Sequence, residues 1–117
     1  MRATMIAFGV VEVEGRRYDH DIVIDRGQVR KRRKGPSKAL RSEYGHTPLT
    51  AAEAIPWGGK RLIIGTGHQG QLPVAADVLA TAEGRGVTVT AVPTAEACEL
   101  LAGIADGDVR AVLHVTC

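Results

Sequence analysis

From Arg61 to Val115 the chain alternates apolar β-forming runs with segments of helical periodicity, and this alternation limits the fold more than any other feature. Arg61-Leu62-Ile63-Ile64 is continuously apolar after its first residue, as expected of a strand covered on both faces. Beyond a glycine-rich loop, Pro73 suits a first helical position. Val74, Val78, Leu79 and Ala82 then recur at helical spacing, and Gly84 and Gly86 predict the stop. Val87 to Val92 reads as the next strand. Thr94 is placed to cap a second helix, with Glu96 in its first turn and Ala97, Leu100, Leu101 and Ile104 as its apolar stripe, before Gly107 ends it. Val109 to Val115 supplies a last strand. The order strand, helix, strand, helix, strand calls for right-handed crossovers and a mostly parallel sheet.

The first half reads differently. Met5 to Val13 is rich in β-formers, Glu14-Gly15 signals a turn before Tyr18 to Ile24, and Asp25-Arg26-Gly27 signals another before Gln28-Val29-Arg30, so a three-strand meander is expected. In the second of these strands, period two sets Tyr18, His20, Ile22 and Ile24 opposite Asp19, Asp21 and Val23. Lys31 to His46, broken by Gly35-Pro36-Ser37, reads as a solvated surface loop or the frayed end of the third strand. Thr50-Ala51-Ala52-Glu53 offers a capping box for a short helix that Pro56 would close, with Trp57 as a lid on the core. The fold class that follows is α/β. Residues 1–117 are expected to form one compact domain, with a mixed, mostly parallel sheet flanked by helices and an N-terminal antiparallel β-ribbon.

At 117 residues such a domain can bury a core without disulfides or a structural metal. Aromatic residues are only 3%, so Val, Ile, Leu and Ala must fill that core, and stacking platforms for bases or sugars are scarce. Net charge is a mild +2, yet Arg26, Arg30, Lys31, Arg32, Arg33, Lys34, Lys38 and Arg41 crowd one segment. Cys98 and Cys117 form no CxxC and no metal-ligand spacing, which fits free thiols in a reducing compartment. The N-terminus carries no signal-peptide pattern, and no apolar run approaches the ~20 residues needed to cross a bilayer. A cytoplasmic protein with no membrane insertion is expected.

The loop Gly65-Thr66-Gly67-His68-Gln69-Gly70 matches G-x-G-x-x-G, but not the context of a dinucleotide fingerprint. Leu72-Pro73 delays the helix beyond the third glycine, and the next strand ends in Val92-Pro93-Thr94 with no carboxylate for a ribose. No Gly-Lys-Ser/Thr follows, so it is not a P-loop. Two readings remain: a turn that only glycine relieves of strain, or a site for a small anion or polar ligand. The second draws on position, because Gly65-Thr66-Gly67 and Pro93-Thr94 would both lie at carboxyl ends of parallel strands, where open α/β sheets bind ligands.

Near the end of the chain, period two places His114 and Thr116 on one strand face and Cys117 on the other, so a Cys–His nucleophilic pair is awkward there. His114 reads as a hydrogen-bonded core histidine, or as an acid or base beside the loop. Cys98 falls near a buried helical stripe and reads as inert filling. Asp19-His20-Asp21 cannot converge on one metal ion by itself, since neighbours on a strand point to opposite faces. The basic run Arg30 to Lys34 reads as a solvated edge that discourages strand pairing. Without aromatics or a recognition helix, nucleic acid is not the expected partner. No catalytic residue, metal or cofactor is expected.

Several segments in order resemble a known family. Tyr18-Asp19-His20-Asp21-Ile22, His46, Ile64-Gly65-Thr66-Gly67 with its loop to Gly70, Pro93-Thr94-Ala95-Glu96-Ala97 and Leu113-His114-Val115-Thr116-Cys117 are similar to the Mth-type domain family. That family includes the adipogenesis-associated domain protein of animals and assembly factor three of mitochondrial respiratory complex I. The resemblance covers nearly the whole chain. It implies a compact α/β domain with a mixed sheet and an added ribbon, and assembly assistance rather than a known reaction. Where many relatives carry Tyr-Asn after the Thr-x-x-Ala motif, this chain has Leu101-Ala102, so no role of that pair transfers. Gly65, Thr66, Gly67, Thr94 and His114 are expected to line a shared pocket for a small anionic ligand. The expected function is a non-enzymatic binding or assembly module with a protein partner, the alternative being an anion-binding protein or enzyme that uses the loop; no oligomeric state is implied.

Overall fold

In the computed structural model, which describes residues 1–117, two sheets divide the strands. Strands β1 (Ala3–Ala7), β2 (Val10–Val13) and β3 (Arg16–Tyr18) form an antiparallel three-stranded sheet. A five-stranded sheet holds β4 (Ile22–Asp25), β5 (Gln28–Lys31), β6 (Arg61–Thr66), β7 (Thr88–Val92) and β8 (Arg110–His114) in the order β5-β4-β8-β6-β7. The alternating half of the chain supplies the parallel part, β8 beside β6 beside β7. β4 joins antiparallel to both β5 and β8, so the sheet is mixed.

The meander expected in the first half is cut twice. Phe8-Gly9 turns the first apolar run back on itself, with Gly9 at φ +88°, so it gives β1 and β2 rather than one strand. Asp19-His20-Asp21 then breaks the next run, leaving β3 in the small sheet and β4 in the large one. Sequence periodicity missed this second break because Tyr18 to Ile24 has no glycine or proline. The hairpin turns follow the residue chemistry. Glu14-Gly15 has φ +49° and +80° and Arg26-Gly27 has φ +50° and +78°, the two-positive-φ geometry that matches the twist of paired strands.

Covering both faces of the large sheet explains its unbroken apolar strands. Ile22, Ile24, Ile63, Ala111, Leu113 and Val115 pack on one face against Val11 and Val13 of the small sheet and against Ala97, Cys98 and Leu101 of helix α3 (Thr94–Leu101). Val23, Leu62, Ile64 and Val112 pack on the other face against Leu49, Ile55 and Leu72, and against Val78 and Ala82 of helix α2 (Ala76–Arg85). Pro73 does not open α2. Residues around it stay extended, and Val74 bridges Leu49, which delays the helix to Ala76 and leaves Leu79 half exposed. Gly86, left-handed at φ +67°, ends α2 as expected.

Two further expectations are corrected. Thr50 to Glu53 forms only a turn, because Glu53 points inward to an arginine instead of back to its own cap. Helical structure lies earlier, as a 3-10 segment Gly35–Leu40 running into the short helix α1 (Arg41–Tyr44), with Pro36 in its first turn. Thr94 is the first residue of α3 rather than its cap, and its hydroxyl is engaged elsewhere. No helix is long and apolar enough to cross a membrane.

Candidate functional site

β6 and β8 run side by side in parallel register, with Gly65 opposite Leu113 and Thr66 opposite His114, so the glycine loop emerges beside the residues that follow β8. There the loop clasps residues 116 and 117. His68 N–H donates to the Thr116 carbonyl at 2.7 Å, and the Gln69 and Gln71 amides donate to the Cys117 backbone oxygen at 3.2 and 2.9 Å. Gly67 sits at φ +111°, and a Cβ there would lie 2.7 Å from the backbone oxygens of both Thr116 and Cys117, so the close approach admits only glycine. Its amide donates to Thr94 Oγ1 at 2.9 Å, and the Thr94 hydroxyl in turn donates to the His114 carbonyl at 2.6 Å. Gly70 N–H returns to the Gly67 carbonyl and Leu72 N–H to that of Thr66.

Gly65, Thr66, Gly67, Thr94 and His114 are therefore brought together, but the amides from Gly67 to Leu72 are occupied by the chain's own oxygens. The open crevice borders His114, Thr116 and Cys117 and none of the residues from Gly65 to Leu72. It has a volume of about 550 Å³ and is lined by Arg32, Lys34, Lys38, Arg41, His46, Thr47, His114, Thr116 and Cys117. Of the five residues singled out from sequence, His114 alone lines it. No Asp or Glu side chain does, and the basic segment that reads as a solvated edge forms much of its wall.

Arg32 explains why that wall keeps its shape. It lies in the middle of the basic run yet is only 4% exposed, a correction to the expectation of a solvated stretch. Nε and Nη2 form a bidentate pair with Glu53 at 2.8 Å each, Nη1 donates to Asp21 Oδ2 at 2.8 Å, and Nη2 also donates to the Pro48 carbonyl at 3.0 Å. Burial alone would push the Arg32 pKa down, but Glu53 and then Asp21 more than reverse this, and the guanidinium stays charged. Glu53 is further held by the Ser37 hydroxyl at 2.5 Å, and Ser37, fully buried, shares a 2.8 Å hydrogen bond with Thr50. This pins the 3-10 segment, from which Lys38 and the following Arg41 face the crevice.

Asp21 carries the same network to His114. Its Oδ2 accepts from His114 Nδ1 at 2.7 Å as well as from Arg32, and its Oδ1 accepts from Val115 N–H at 2.9 Å. Burial, the largest influence, pushes its pKa up. The His114 hydrogen bond and charge, the Val115 amide and the Arg32 hydrogen bond together overcome this and bring it down to about 2 from 3.8. Asp21 is thus a carboxylate that orients the imidazole. With Nδ1 facing Asp21, Nε2 lies 3.3 Å from Thr116 Oγ1, two residues further on and just beyond the end of β8.

Sequence reasoning placed His114 and Thr116 on one face but left Asp21, Arg32, Glu53, Lys38, Arg41 and His46 out of the site. A signal existed for two of them, since Asp21 and His46 belong to the segments on which the family resemblance rests. Asp21 binds His114, and both His114 and His46 line the crevice. No group of three or more His, Cys, Asp or Glu side chains is arranged to hold a metal ion. What the crevice offers chemically is positive charge, hydroxyls and one carboxylate-oriented imidazole.

A search of curated proteins returned no match. Among solved structures, conserved hypothetical protein PH1505 from Pyrococcus horikoshii OT3 is similar over 100% of both chains, with 28% identity and a TM-score of 0.80. A second, MT938, is similar over 99% of this chain and 98% of its own, with 29% identity and a TM-score of 0.67. A family model described as "Protein of unknown function (DUF498/DUF598)" matches residues 3–114.

Proposed function

The chain belongs to the DUF498/DUF598 family of proteins of unknown function, and from that premise we propose that it is a binding module whose ligand is a small anion held in the cationic crevice. The observation that carries this reading is the lining itself: Lys34, Lys38, Arg41, His46 and His114 around one opening with no Asp or Glu side chain among them, Arg32 being committed to Asp21 and Glu53 behind the wall. A volume of about 550 Å³ suits a small molecule rather than a peptide strand. Fixed positive charge in a partly enclosed site attracts anions more strongly than the mild net charge suggests. The glycine loop supports the site indirectly, by holding residues 116 and 117 in place. In this reading residues 1–117 act as one domain, and the free thiols of Cys98 and Cys117 fit a cytoplasmic setting.

Thermal unfolding with inorganic phosphate or succinate, at constant ionic strength, tests the proposal. A ligand at a hundred times its Kd stabilises the fold by about 2.7 kcal/mol. At ~2.1 cal/mol/K of unfolding entropy per residue, that raises Tm by about 10 °C for this length. Lys38→Glu should weaken the shift and leave the unliganded Tm nearly unchanged, since the side chain is exposed. Equal Tm with every anion tried would reject the reading.

The second reading is the assembly module that the resemblance to the Mth-type domain implies. Ile6 in β1 and Phe8 in the turn after it, 40% and 54% exposed, favour it, because large apolar side chains open to solvent are available for docking. A protein partner recovered from native extract should be lost with Phe8→Asp, and recovery unaffected by that change would count against this face.

A further inference from the structure

We propose that Thr116, His114 and Asp21 form a hydroxyl–imidazole–carboxylate relay that lets the crevice cleave small esters whose acyl part carries a carboxylate. The proposal rests on the anion-binding reading and adds a reaction to it. His114 and Thr116 stand two residues apart at the end of β8, Asp21 comes from the break between β3 and β4, and each is fixed by an observed contact. Asp21 is held by Arg32 and by the Val115 amide, so its remaining acceptor capacity orients His114 through Nδ1. That orientation places the proton on Nδ1 and the lone pair on Nε2, the arrangement a general base requires. Thr116 Oγ1 lies 3.3 Å from Nε2 and is exposed at the crevice wall, so the hydroxyl that would be activated is the one that can meet a ligand.

The rest of the lining suits this chemistry. Lys34, Lys38, Arg41 and His46 can hold an acyl-chain carboxylate and stabilise the oxyanion that develops on the attacked carbonyl. In the first step the Thr116 oxygen bonds to the acyl carbon while its proton passes to His114 Nε2. The tetrahedral oxyanion collapses, the bond to the alcohol breaks, and the alcohol leaves with the proton from Nε2. Water then attacks the acyl-threonine, giving its proton to Nε2. Collapse breaks the bond to Thr116, whose oxygen recovers that proton. Ester and water give acid and alcohol, with no oxidation or reduction.

Mono-4-nitrophenyl adipate, whose carboxylate is too far along the chain to close a stable anhydride on its own ester, is the probe, followed by nitrophenolate release in stopped flow and by intact-protein and peptide mass spectrometry. The expected result is a burst of one nitrophenolate per chain with one adipoyl group on Thr116. Thr116→Ala and His114→Gln should slow acylation by about a hundredfold or more, and Thr116→Ser should retain it. Thr116 is exposed, so its variants should keep the wild-type Tm, which removes misfolding as the cause. A neutral 4-nitrophenyl ester of similar length should react roughly tenfold slower, having lost its charge contact. An adduct mapped to Cys117 or to a lysine, or a burst unchanged in Thr116→Ala, overturns the relay. Adipate that raises Tm without any burst from its mono-nitrophenyl ester overturns the relay and leaves the binding reading standing. A burst at Thr116 with equal rates for charged and neutral esters supports the hydroxyl chemistry while removing the anion preference.

Discussion

Replacing Arg32 by methionine removes the one cation that faces two buried carboxylates. Asp21 and Glu53 are 8% and 7% exposed, and each is within 2.8 Å of the guanidinium. Breaking such a pair by deleting one partner costs about 3–5 kcal/mol, because the remaining charge is left desolvated without compensation. Here Asp21 keeps His114 and the Val115 amide, and Glu53 keeps Ser37, so the lower end, about 3 kcal/mol, applies. With ~2.1 cal/mol/K of unfolding entropy per residue, this corresponds to a Tm lower by about 12 °C. Urea denaturation should show a lower midpoint at unchanged slope. Arg33→Met, next along the chain but exposed, should lie within about 0.5 kcal/mol of wild type. Adding Glu53→Gln to Arg32→Met should recover part of the loss, because it removes one of the stranded charges. If Arg32→Met and Arg33→Met prove equally mild, the buried ion network does not hold the crevice wall and the reasoning fails.

Acid should expose the same network. Asp21 has its folded pKa lowered to about 2 from 3.8, so its contribution is complete above the unfolded value and is lost as pH falls through the folded one. The difference is worth about 2 kcal/mol, and Asp21→Asn should flatten the pH dependence of urea midpoints in that window. The two thiols should differ sharply. Burial, and then Glu99, raises the Cys98 thiol to about 11, so a thiol reagent at neutral pH should titrate only Cys117 in the native protein and both after denaturation. Gly67→Ala should cost about 1–3 kcal/mol, since a methyl group there meets the backbone of residues 116 and 117 and the backbone is left-handed. Hydrogen exchange of the Gln69 and Gln71 amides, which Cys117 holds, should then accelerate more than that of β6.

The parts legible in the sequence are those with uniform surroundings. Leu62-Ile63-Ile64 and Val112-Leu113 are buried on both faces, so an unbroken apolar run identifies them as strands, and Gly86 ends α2 because only a left-handed residue fits. The break at Asp19-His20-Asp21 was not legible, because the sheet change there is driven by tertiary pairing of Ile22 with Leu113 rather than by a local turn signal. Arg32 was illegible for a related reason. Its neighbours Lys31 and Arg33 are exposed, and the carboxylates that bury it lie 11 and 21 residues away. Thr94, read as a cap, instead links the glycine loop to β8, an assignment only spatial proximity could make. His114 and Thr116 were placed on one face by period two alone, but the carboxylate that orients them comes from a strand break that period two hides.

An anion held in the opening walled by the basic segment and the end of β8 would perturb the groups that surround it. Titrating inorganic phosphate into isotopically labelled protein at constant ionic strength, with amide and histidine ring resonances followed by NMR, tests for it most directly. Saturable shifts are expected, confined to Lys34, Lys38, Arg41, His46, Thr47, His114 and Thr116 and removed by Lys38→Glu. Shifts that never saturate, or that gather instead at Lys60, Arg61 and Arg110 in the other basic cleft, would contradict this expectation.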